Sequence, residues 1–317
     1  MLKIFSTSNS FFNSPQARAR LESHGHTVVY HNGEQPLTAA ELKPLVAGYD
    51  VIIAGLEPYN QEILQAALPT LRLVARVGAG YDNIDVAAAK RLGIPVTYTP
   101  GANAQSVAEH TFGLLLALAR HIPAMDRNVR EGRWKKAVGC ELYQKTLGIV
   151  GAGSIGLEVA RRAKAFGMNL IAHDKYPRPE AVVELGLKYL PLEELLLRAD
   201  VVTLHCNARP GAAPLIDSQA LSQMKPSALL VNTARGSLID EVALCEALAN
   251  GRLAGAALDV YTTEPPSTPA LLSLENVILT PHTGASVQEA IERMSDMAID
   301  EIEHLAHGRP FEHLAKG

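Results

Sequence analysis

Three side chains in the second half of the chain have the chemistry of an acid/base site that acts on a carboxylate-bearing molecule. Arg235 closes the run Val-Asn-Thr-Ala-Arg, Glu264 stands before two prolines, and His282 lies between Pro281 and Thr283. An imidazole titrates near neutral pH and can give or take a proton, and a neighbouring carboxylate favours its protonated form. A guanidinium binds a carboxylate through two parallel hydrogen bonds. We interpret the three residues as a candidate catalytic set.

Each of these residues, taken singly, also has a structural explanation. A strand-end arginine is commonly solvated or salt-bridged, a glutamate before prolines commonly lies in a loop, and a Pro-His pair can be a turn only. All three, however, follow short apolar runs that predict strands, at 228–232, 255–259 and 277–279. Open parallel sheets bind ligands at the carboxyl ends of their strands, so we expect the three side chains to share one edge.

A glycine-rich turn is the element around which these strands are organised. An apolar run leads into Gly151-Ala152-Gly153-Ser154-Ile155-Gly156, and residues with helical spacing follow. Strand, turn and helix in this order are the setting of a dinucleotide-binding fingerprint. Gly151 allows a tight turn, Gly153 allows the backbone to approach a diphosphate, and Gly156 allows the helix to pack on the strand. The diphosphate is expected at the helix N-terminus, where Ser154 and Ile155 begin the first turn.

A second apolar run, 169–173, ends at Asp174, and this position favours one cofactor. Dinucleotide-binding folds place the acid that binds the adenosine ribose about 20 residues after the glycines. Lys175 follows and could meet a 2′-phosphate, which leaves NADP as an alternative. Because the carboxylate of Asp174 should repel that phosphate, we predict NAD.

With a nicotinamide at this sheet edge, the candidate set has the groups that carbonyl reduction requires. Hydride passes from the nicotinamide to a keto carbon, and the carbonyl oxygen takes a proton from a group that titrates near neutral pH. His282 would supply that proton, and Arg235 would bind the substrate and polarise its carbonyl. The sequence therefore predicts an oxidoreductase.

Strands and helices alternate along the whole chain, which predicts an α/β protein with parallel sheets. We expect two Rossmann-like, doubly wound domains with a cleft between them. Residues 100–284 form the predicted NAD-binding domain, with six strands, the number of a full dinucleotide-binding sheet. Residues 1–99 and 285–317 form a predicted discontinuous, flavodoxin-like substrate domain, to which the last long helix, 286–307, returns.

Composition argues against several other classes of protein. The chain has 317 residues and a formal net charge of −4, so charge gives no reason to expect nucleic acid or a membrane surface as a partner. Its apolar runs are too short to span a bilayer, and its first residues lack a secretory signal. Three scattered cysteines indicate free thiols in a reducing compartment, and we expect a cytoplasmic protein. No metal is predicted, because His24, His26 and His31 lack the spacing of metal ligands.

A long apolar helix is predicted over 106–120, continuing toward Arg130. Apolar residues occupy more than one of its faces, which indicates burial against both domains or a second subunit. We expect this region, with the lone Trp134, to form a homodimer interface.

Several motifs resemble one family, the D-isomer-specific 2-hydroxyacid dehydrogenases. Besides the glycine turn they are Arg76-Val77-Gly78-Ala79-Gly80-Tyr81-Asp82-Asn83-Ile84-Asp85, Ser106-Val107-Ala108-Glu109-His110, Asn232-Thr233-Ala234-Arg235-Gly236, Leu258-Asp259-Val260-Tyr261-Thr262-Thr263-Glu264-Pro265 and Pro281-His282-Thr283-Gly284-Ala285. The resemblance covers essentially the whole chain. It is closest to the phosphoglycerate dehydrogenase and hydroxypyruvate reductase branch, here without the C-terminal regulatory domain that some phosphoglycerate dehydrogenases carry. It implies an NAD-dependent enzyme that interconverts a small 2-keto acid and a D-2-hydroxy acid.

The resemblance also implies a role for each motif. His282 would be the acid/base, Glu264 its charged partner, and Arg235 the carboxylate and carbonyl anchor. Asp259 would contact the nicotinamide side of the cofactor. Backbone N–H groups that would hold the substrate carboxylate are those of Val77, Gly78 and Ala79. Further implied cofactor-binding positions are Val107, His205, Thr233, Ala234 and Gly284.

The distal group of the substrate is not fixed by these motifs. Ser8 and Asn9, in a hydroxyl-rich segment, and Leu56-Glu57-Pro58 are predicted to form the wall that contacts it. No cluster of Lys or Arg marks a phosphate site, although Arg209 or a second subunit could supply a cation.

Three classes of function therefore stay open at this point. The leading one is a dehydrogenase of the 3-phosphoglycerate or hydroxypyruvate/glyoxylate type. The second is a reductase of a phosphonate-bearing keto acid such as phosphonopyruvate. The third is an NAD-sensing binding protein of the corepressor type. The segment after His205 lacks the Pro-Leu-Thr that usually follows such a histidine, which leaves the local cofactor contacts open.

Overall fold

The chain divides into two compact units in a computed structural model that describes residues 1–31, 33, 35–208 and 211–316. The first unit is Met1–Asn103 with Ala285–Gly317, and the second is Ala104–Gly284. The first boundary therefore follows residue 103, whereas the sequence analysis placed it after residue 99. The reason is that Ala102 packs in the core of the first unit, and its carbonyl accepts a hydrogen bond from Arg293 Nε at 2.8 Å.

Strands and helices alternate along the described residues, as the sequence predicts. The strands are β1 (Lys3–Ser6), β2 (Thr27–Tyr30), β3 (Val51–Ala54), β4 (Leu73–Arg76), β5 (Val96–Thr97), β6 (Thr146–Val150), β7 (Asn169–His173), β8 (Lys188–Tyr189), β9 (Val201–Leu204), β10 (Leu229–Asn232), β11 (Gly255–Leu258) and β12 (Val277–Leu279). The helices are α1 (Asn9–Phe12), α2 (Pro15–Ser23), α3 (Ala39–Leu42), α4 (Gln61–Ala66), α5 (Val86–Arg91), α6 (Ala104–Ala119), α7 (Ile122–Arg130), α8 (Ser154–Ala165), α9 (Pro179–Leu185), α10 (Leu192–Arg198), α11 (Ser218–Gln223), α12 (Glu241–Ala249), α13 (Pro269–Ser273) and α14 (Gln288–Ala306).

The first unit is built on a five-stranded sheet in the order β2-β1-β3-β4-β5, with every pair of neighbouring strands parallel. Strands β3 and β4 are buried at every position, as expected for a parallel sheet covered by helices on both faces. Apolar residues of α2 and α14 cover one face, and those of α4 and α5 cover the other. This arrangement confirms the predicted doubly wound class.

The hydroxyl-rich segment after β1 contains a short helix. Residues 9–12 form α1, because Ser8 Oγ accepts a hydrogen bond from the Phe11 N–H at 3.3 Å and caps the turn. Phe11 is fully buried in the core. The segment that follows β1 is therefore tied to the sheet by an aromatic anchor.

The second unit contains a seven-stranded parallel sheet in the order β12-β11-β10-β9-β6-β7-β8. The sequence predicts six strands, and the seventh is β8, which pairs with β7 through only two residues. A two-residue strand is too short to show an alternating or apolar pattern. The strand order reverses beside β6, since β7 lies on one side of it and β9 on the other. Such a reversal is where doubly wound sheets bind ligands.

The long apolar helix predicted toward Arg130 is two helices. Helix α6 ends at Ala119 and α7 begins at Ile122, because His121 adopts a left-handed conformation, φ 52°, and Pro123 has no backbone N–H. Helix α6 is largely buried within the second unit, whereas α7 has no buried residue. In this region, exposed apolar side chains lie on α7 and on the segment after it, at Ile122, Val129, Trp134 and Val138. In the parts of the chain that the structure describes, no helix combines the length and apolar character needed to cross a bilayer.

Candidate active site

The glycine turn between β6 and α8 has the backbone geometry of a diphosphate cradle. Gly151 has φ 96°, and a Cβ there would lie 2.5 Å from the Cys206 nitrogen. A Cβ on Gly156 would lie 2.1 Å from the Gly151 oxygen, so only glycine allows α8 to pack this closely on the turn. A Cβ on Gly153, by contrast, would meet nothing within 4 Å.

The open side of this turn faces the N-terminus of α8. No side chain caps that N-terminus, which leaves the N–H groups of the first turn, including those of Ser154 and Ile155, available for an anion. The residues present therefore fit the diphosphate of a dinucleotide.

Asp174 lies next to this turn, at the end of β7. Its Oδ2 accepts a hydrogen bond from the Ala152 N–H at 2.6 Å, and its Oδ1 accepts one from the Tyr176 N–H at 2.7 Å. The Lys175 ammonium lies 5.4 Å from the centre of the Tyr176 ring. The two backbone bonds fix the carboxylate beside the glycines, which is where the sequence predicts the ribose-binding acid.

His205 and Cys206, after β9, form the opposite side of the glycine turn. His205 Nε2 lies 2.8 Å from Thr203 Oγ1, while its Nδ1 is buried and has no hydrogen-bond partner among the described residues. Burial lowers the pKa of His205 to about 3, so its imidazole is neutral at physiological pH. Burial also raises the pKa of the Cys206 thiol to about 11, with a smaller contribution from Asp174. Neither side chain is suited to acid/base chemistry near neutral pH.

His282 and Glu264 form a hydrogen-bonded pair. His282 Nδ1 lies 2.9 Å from Glu264 Oε2, and Glu264 Oε1 accepts a hydrogen bond from the Tyr261 N–H at 3.2 Å. Both carboxylate oxygens are thereby oriented, and the imidazole keeps Nε2 for a reacting group. About a third of each side chain is exposed, 31% for His282 and 36% for Glu264, so the pair is accessible from solvent.

The backbone of His282 is strained and held in place. Its φ of 52° is a left-handed conformation that costs a residue with a side chain about 1–3 kcal/mol. The His282 N–H donates to the Asp259 carbonyl at 2.8 Å and to the Thr280 carbonyl at 3.1 Å. These bonds, one to the residue after β11 and one to the residue after β12, hold the backbone that carries the imidazole.

The carboxylate of Asp259 organises the rest of the same loop. Its Oδ1 accepts hydrogen bonds from Thr280 Oγ1 at 2.6 Å and from the Thr283 N–H at 2.8 Å, and its Oδ2 accepts one from the Gly284 N–H at 2.8 Å. His110 Nε2 on α6 lies 3.2 Å from Oδ1. Burial acts to raise the pKa of Asp259, but these hydrogen bonds outweigh it and hold that pKa below its ordinary value. Asp259 is therefore an ionised, buried anchor for the loop of His282.

His110 is a residue of this site that the sequence analysis did not identify. Its position on an apolar helix gave no signal, because its partners Asp259 and Thr280 are 149 and 170 residues away in the chain. Val107, one turn earlier on α6, lies 3.5 Å from where a Cβ on Gly284 would be. The predicted positions Val107, Asp259 and Gly284 are thus neighbours.

Arg235 lies in a turn at the end of β10 that is closed by the side chain of Asn232. Asn232 Nδ2 donates to the Arg235 carbonyl at 2.8 Å, and Asn232 Oδ1 accepts from the Ala234 N–H at 3.0 Å. A Cβ on Gly236 would lie 1.9 Å from the Tyr261 carbonyl carbon. Only glycine therefore allows this turn to lie against the loop that carries Glu264. Thr233, also predicted, places its Oγ1 3.0 Å from Thr111 Oγ1 on α6.

The loop after β4 in the first unit offers backbone donors, although not the three that the sequence analysis named. The Val77 N–H donates to the Ala54 carbonyl at 3.2 Å, and the Gly78 N–H donates to Thr99 Oγ1 at 3.0 Å. Both N–H groups are therefore occupied within the unit itself. Within the described residues, the N–H groups of Ala79 and Gly80 have no acceptor.

The predicted wall residues of the first unit have structural partners. Ser8 caps α1, and Asn9 Nδ2 donates to the Gly33 carbonyl at 2.8 Å. Glu57 is 2% exposed and accepts a hydrogen bond from Thr7 Oγ1 at 2.5 Å. Contact of these residues with a substrate stays a prediction. Arg209 lies outside the described residues.

The structure brings His24 and His26 together, although their spacing did not predict it. Both lie within 2.9 Å of Glu303 Oε1 on α14. His26 Nδ1 accepts the Leu2 N–H at 3.2 Å, so its Nε2 carries the proton and donates to Glu303. A metal at Nε2 would have to displace that proton.

Comparison with known proteins places the second unit in a defined family. Residues 112–284 match the sequence model of the D-isomer specific 2-hydroxyacid dehydrogenase NAD binding domain. The chain is 41% identical over 292 residues to a glyoxylate reductase of Korarchaeum cryptofilum, covering 90% of this chain and 87% of that protein. It is 44% identical over 245 residues to a D-3-phosphoglycerate dehydrogenase of Mycobacterium tuberculosis, covering 77% of this chain and 46% of that one.

The chain thus spans about half the length of that phosphoglycerate dehydrogenase. Among solved structures, the TT0316 protein from Thermus thermophilus superimposes with a TM-score of 0.90 at 37% identity. That similarity covers 99% of this chain and 100% of the other.

We predict that Asp259→Asn lowers the free energy of unfolding by at least about 2 kcal/mol at pH 7, because an amide cannot accept all the bonds that the carboxylate accepts. The pKa of Asp259 is lower in the folded protein than in the unfolded chain. Its contribution is therefore complete above the unfolded pKa, about 4, and is lost as the pH falls through the folded pKa. Urea unfolding of both proteins from pH 7 to about pH 3 measures the difference.

Asp126→Asn on the exposed helix α7 is the matched control, and its free energy of unfolding should stay close to that of the unmodified protein. Equal stability of Asp259→Asn and the unmodified protein at pH 7 would contradict the anchoring role of Asp259.

Proposed function

Because the chain belongs to the family of D-isomer-specific 2-hydroxyacid dehydrogenases, we propose that it interconverts a small 2-keto acid and the D-2-hydroxy acid. Enzymes of this family are oxidoreductases that act on CH–OH donors with NAD. The observation that carries the proposal is the pair His282–Glu264, with Nδ1 and Oε2 2.9 Å apart, in the same unit as the dinucleotide fingerprint.

His282 is the proposed acid/base. The glycine turn and Asp174 would hold the dinucleotide, which would supply or take the hydride. His282 donates a proton from Nε2 to the carbonyl oxygen during reduction and takes it back during oxidation. Glu264 accepts the Nδ1–H, which fixes the ring and stabilises the imidazolium. The two bonds from the His282 N–H hold the backbone of that residue, and the bond to Glu264 orients the ring.

The open N–H groups of Ala79 and Gly80 in the first unit are proposed to bind the substrate carboxylate. Arg235 keeps, as a separate proposal, the role of carboxylate and carbonyl anchor that the resemblance implies. Consecutive backbone N–H groups that point the same way form a concave anion site. A guanidinium adds a planar pair of donors and polarises the carbonyl. Ala79 is common to this proposal and to the sequence prediction. Gly80 takes the place of Val77 and Gly78, because the N–H groups of those two residues already donate hydrogen bonds within the unit.

We propose that NAD is preferred to NADP. Asp174 is fixed by backbone bonds beside the glycine turn, where its charge would repel a 2′-phosphate and its oxygens would accept ribose hydroxyls. Lys175 lies over the Tyr176 ring.

The proposed substrates are keto acids with a small, uncharged distal group, such as glyoxylate and hydroxypyruvate. The predicted wall, Ser8, Asn9 and 56–58, contains no cation, and Glu57 is acidic and buried. A glyoxylate reductase also matches this chain over most of its own length. 3-Phosphohydroxypyruvate and phosphonopyruvate, which require a cation, are the alternatives.

Oxidation of NADH and NADPH against a panel of keto acids tests the proposal. The panel contains glyoxylate, pyruvate, hydroxypyruvate, 3-phosphohydroxypyruvate and phosphonopyruvate. We expect the highest kcat/KM with NADH and with glyoxylate or hydroxypyruvate. A higher value for a phosphate- or phosphonate-bearing acid would reassign the distal pocket. Absence of NADH oxidation with every keto acid of the panel, while NADH still binds, would support the NAD-sensing alternative.

We predict that His282→Ala lowers kcat by about 100-fold or more, the usual range for a lost general acid. The dissociation constant for NADH should change little, because the diphosphate is held at the glycine turn and not by the His282 side chain. Steady-state kinetics and NADH fluorescence titration measure the two quantities. His24→Ala, in the first unit, is the control and should keep normal turnover. Near-normal turnover of His282→Ala would rule out the acid/base role.

We further propose a homodimer that covers α7 and the segment after it. Trp134 is 85% exposed and Val138 is 94% exposed, and exposed aromatic side chains are enriched at subunit interfaces. Size-exclusion chromatography with light scattering should give twice the mass of the chain, and Trp134→Glu should shift it toward the monomer. A monomeric unmodified protein would contradict the proposal.

A cytoplasmic location is also proposed. The cysteines Cys140, Cys206 and Cys245 are all free thiols, which suits a reducing compartment. Cell fractionation tests it.

A further inference from the structure

A buried guanidinium lies beneath the loop that offers the open backbone donors. Arg76, the last residue of β4, is 7% exposed. Its Nε donates to the Gly80 carbonyl at 3.1 Å, and its Nη1 donates to the Val77 carbonyl and, at 3.4 Å, to the Ala54 carbonyl. One side chain therefore holds the carbonyls at both ends of the loop 77–80 and ties them to β3.

These contacts determine where the N–H groups of the loop point. A peptide unit is planar, with its C=O and the next N–H on opposite sides. Arg76 draws the Val77 carbonyl inward, which turns the Gly78 N–H toward Thr99 Oγ1. The Thr99 N–H in turn binds the Gly78 carbonyl at 3.1 Å. That bond turns the Ala79 N–H away from Thr99, and the bond from Arg76 Nε fixes the Gly80 carbonyl on the guanidinium side.

The guanidinium also packs directly against the loop. A Cβ on Gly78, φ 154°, would lie 2.8 Å from Arg76 Cζ, Nη1 and Nη2. Glycine at 78 thus lets the loop rest on the planar face of the guanidinium. The guanidinium is thus buried against the loop, and a positive charge close to open N–H groups favours an anion there.

We propose that Arg76 is a positioning residue that holds the loop 77–80 so that the Ala79 and Gly80 N–H groups bind the substrate carboxylate. This inference rests on the proposed function. Arg76 touches no substrate atom; it acts by fixing carbonyl directions and by its buried charge. Lysine cannot replace the guanidinium fully, because one ammonium lacks the planar fork that reaches Val77 and Gly80 together.

The test compares Arg76→Lys, which keeps the charge, with Arg76→Gln, which removes it. Because the loop contributes binding that is equal in substrate and transition state, we expect KM for the keto acid to rise with kcat changed by less than about threefold. The expected rise is several-fold for Arg76→Lys and at least about tenfold for Arg76→Gln. The inhibition constant of oxamate, a carboxylate-bearing analogue, should rise in parallel, and the NADH dissociation constant should not change.

Two further variants complete the experiment. Arg72→Gln, an exposed arginine just before the amino end of the same strand, is the matched control and should behave like the unmodified protein. Thr99→Val removes the acceptor of the Gly78 N–H from the other side and should also raise KM, which keeps the test valid if Arg76→Gln does not fold.

The outcomes separate this inference from the function it rests on. A purely structural role of Arg76 would reduce the fraction of active protein, which lowers kcat and leaves KM unchanged, and that result would overturn the assignment. Unchanged KM and oxamate inhibition in both Arg76 variants and in Thr99→Val would also overturn it, with the dehydrogenase activity intact. Absence of turnover by the unmodified protein would instead overturn the proposed function and this inference with it.

Discussion

The buried carboxylate of Asp259 is the interaction on which the candidate active site depends. It accepts hydrogen bonds from two backbone N–H groups and from side chains of α6 and of the loop after β12, while its own carbonyl binds the His282 N–H. Burial of a charged carboxylate costs free energy unless hydrogen bonds satisfy its oxygen atoms. Asp259 satisfies this condition with bonds that also shape the loop. The strained backbone of His282 persists because the surrounding structure over-determines it.

Each unit contains a buried charged side chain that fixes a loop through hydrogen bonds, and the two charges have opposite sign. In the second unit a buried anion, Asp259, gathers N–H groups and leaves an imidazole directed outward. In the first unit a buried cation, Arg76, binds carbonyls, while the N–H groups of Ala79 and Gly80 have no acceptor among the described residues. In both, the chemistry is presented at the end of a parallel strand, where the ladder stops and backbone groups become available. Side chains that never meet the substrate therefore decide which groups can.

Close backbone contact explains the glycines of the second unit better than flexibility does. A Cβ added to Gly156 would lie 2.1 Å from the Gly151 oxygen, and one added to Gly236 would lie 1.9 Å from the Tyr261 carbonyl carbon. The first contact seats α8 on the fingerprint turn, and the second places the turn of Arg235 against the loop of Glu264. A packed backbone cannot move aside as a flexible side chain can. A larger residue at either position would therefore displace the backbone of the candidate site.

The sequence by itself determined the fold class, the family and the groups that carry the proposed chemistry. These groups are recognised from local motifs, because the residues next to them in the chain identify them. They are the fingerprint glycines, Asp174, and Arg235, Glu264 and His282 at strand ends. The tertiary structure decided which backbone donors are open, that His110 supports Asp259, that β8 extends the sheet, and that α7 separates from α6. These features depend on partners that the chain brings together from distant positions, such as Thr99 for Gly78 or Asp259 for His110. Periodicity and motif spacing carry no information about such pairs, because hydrogen-bond occupancy is a property of the folded neighbourhood.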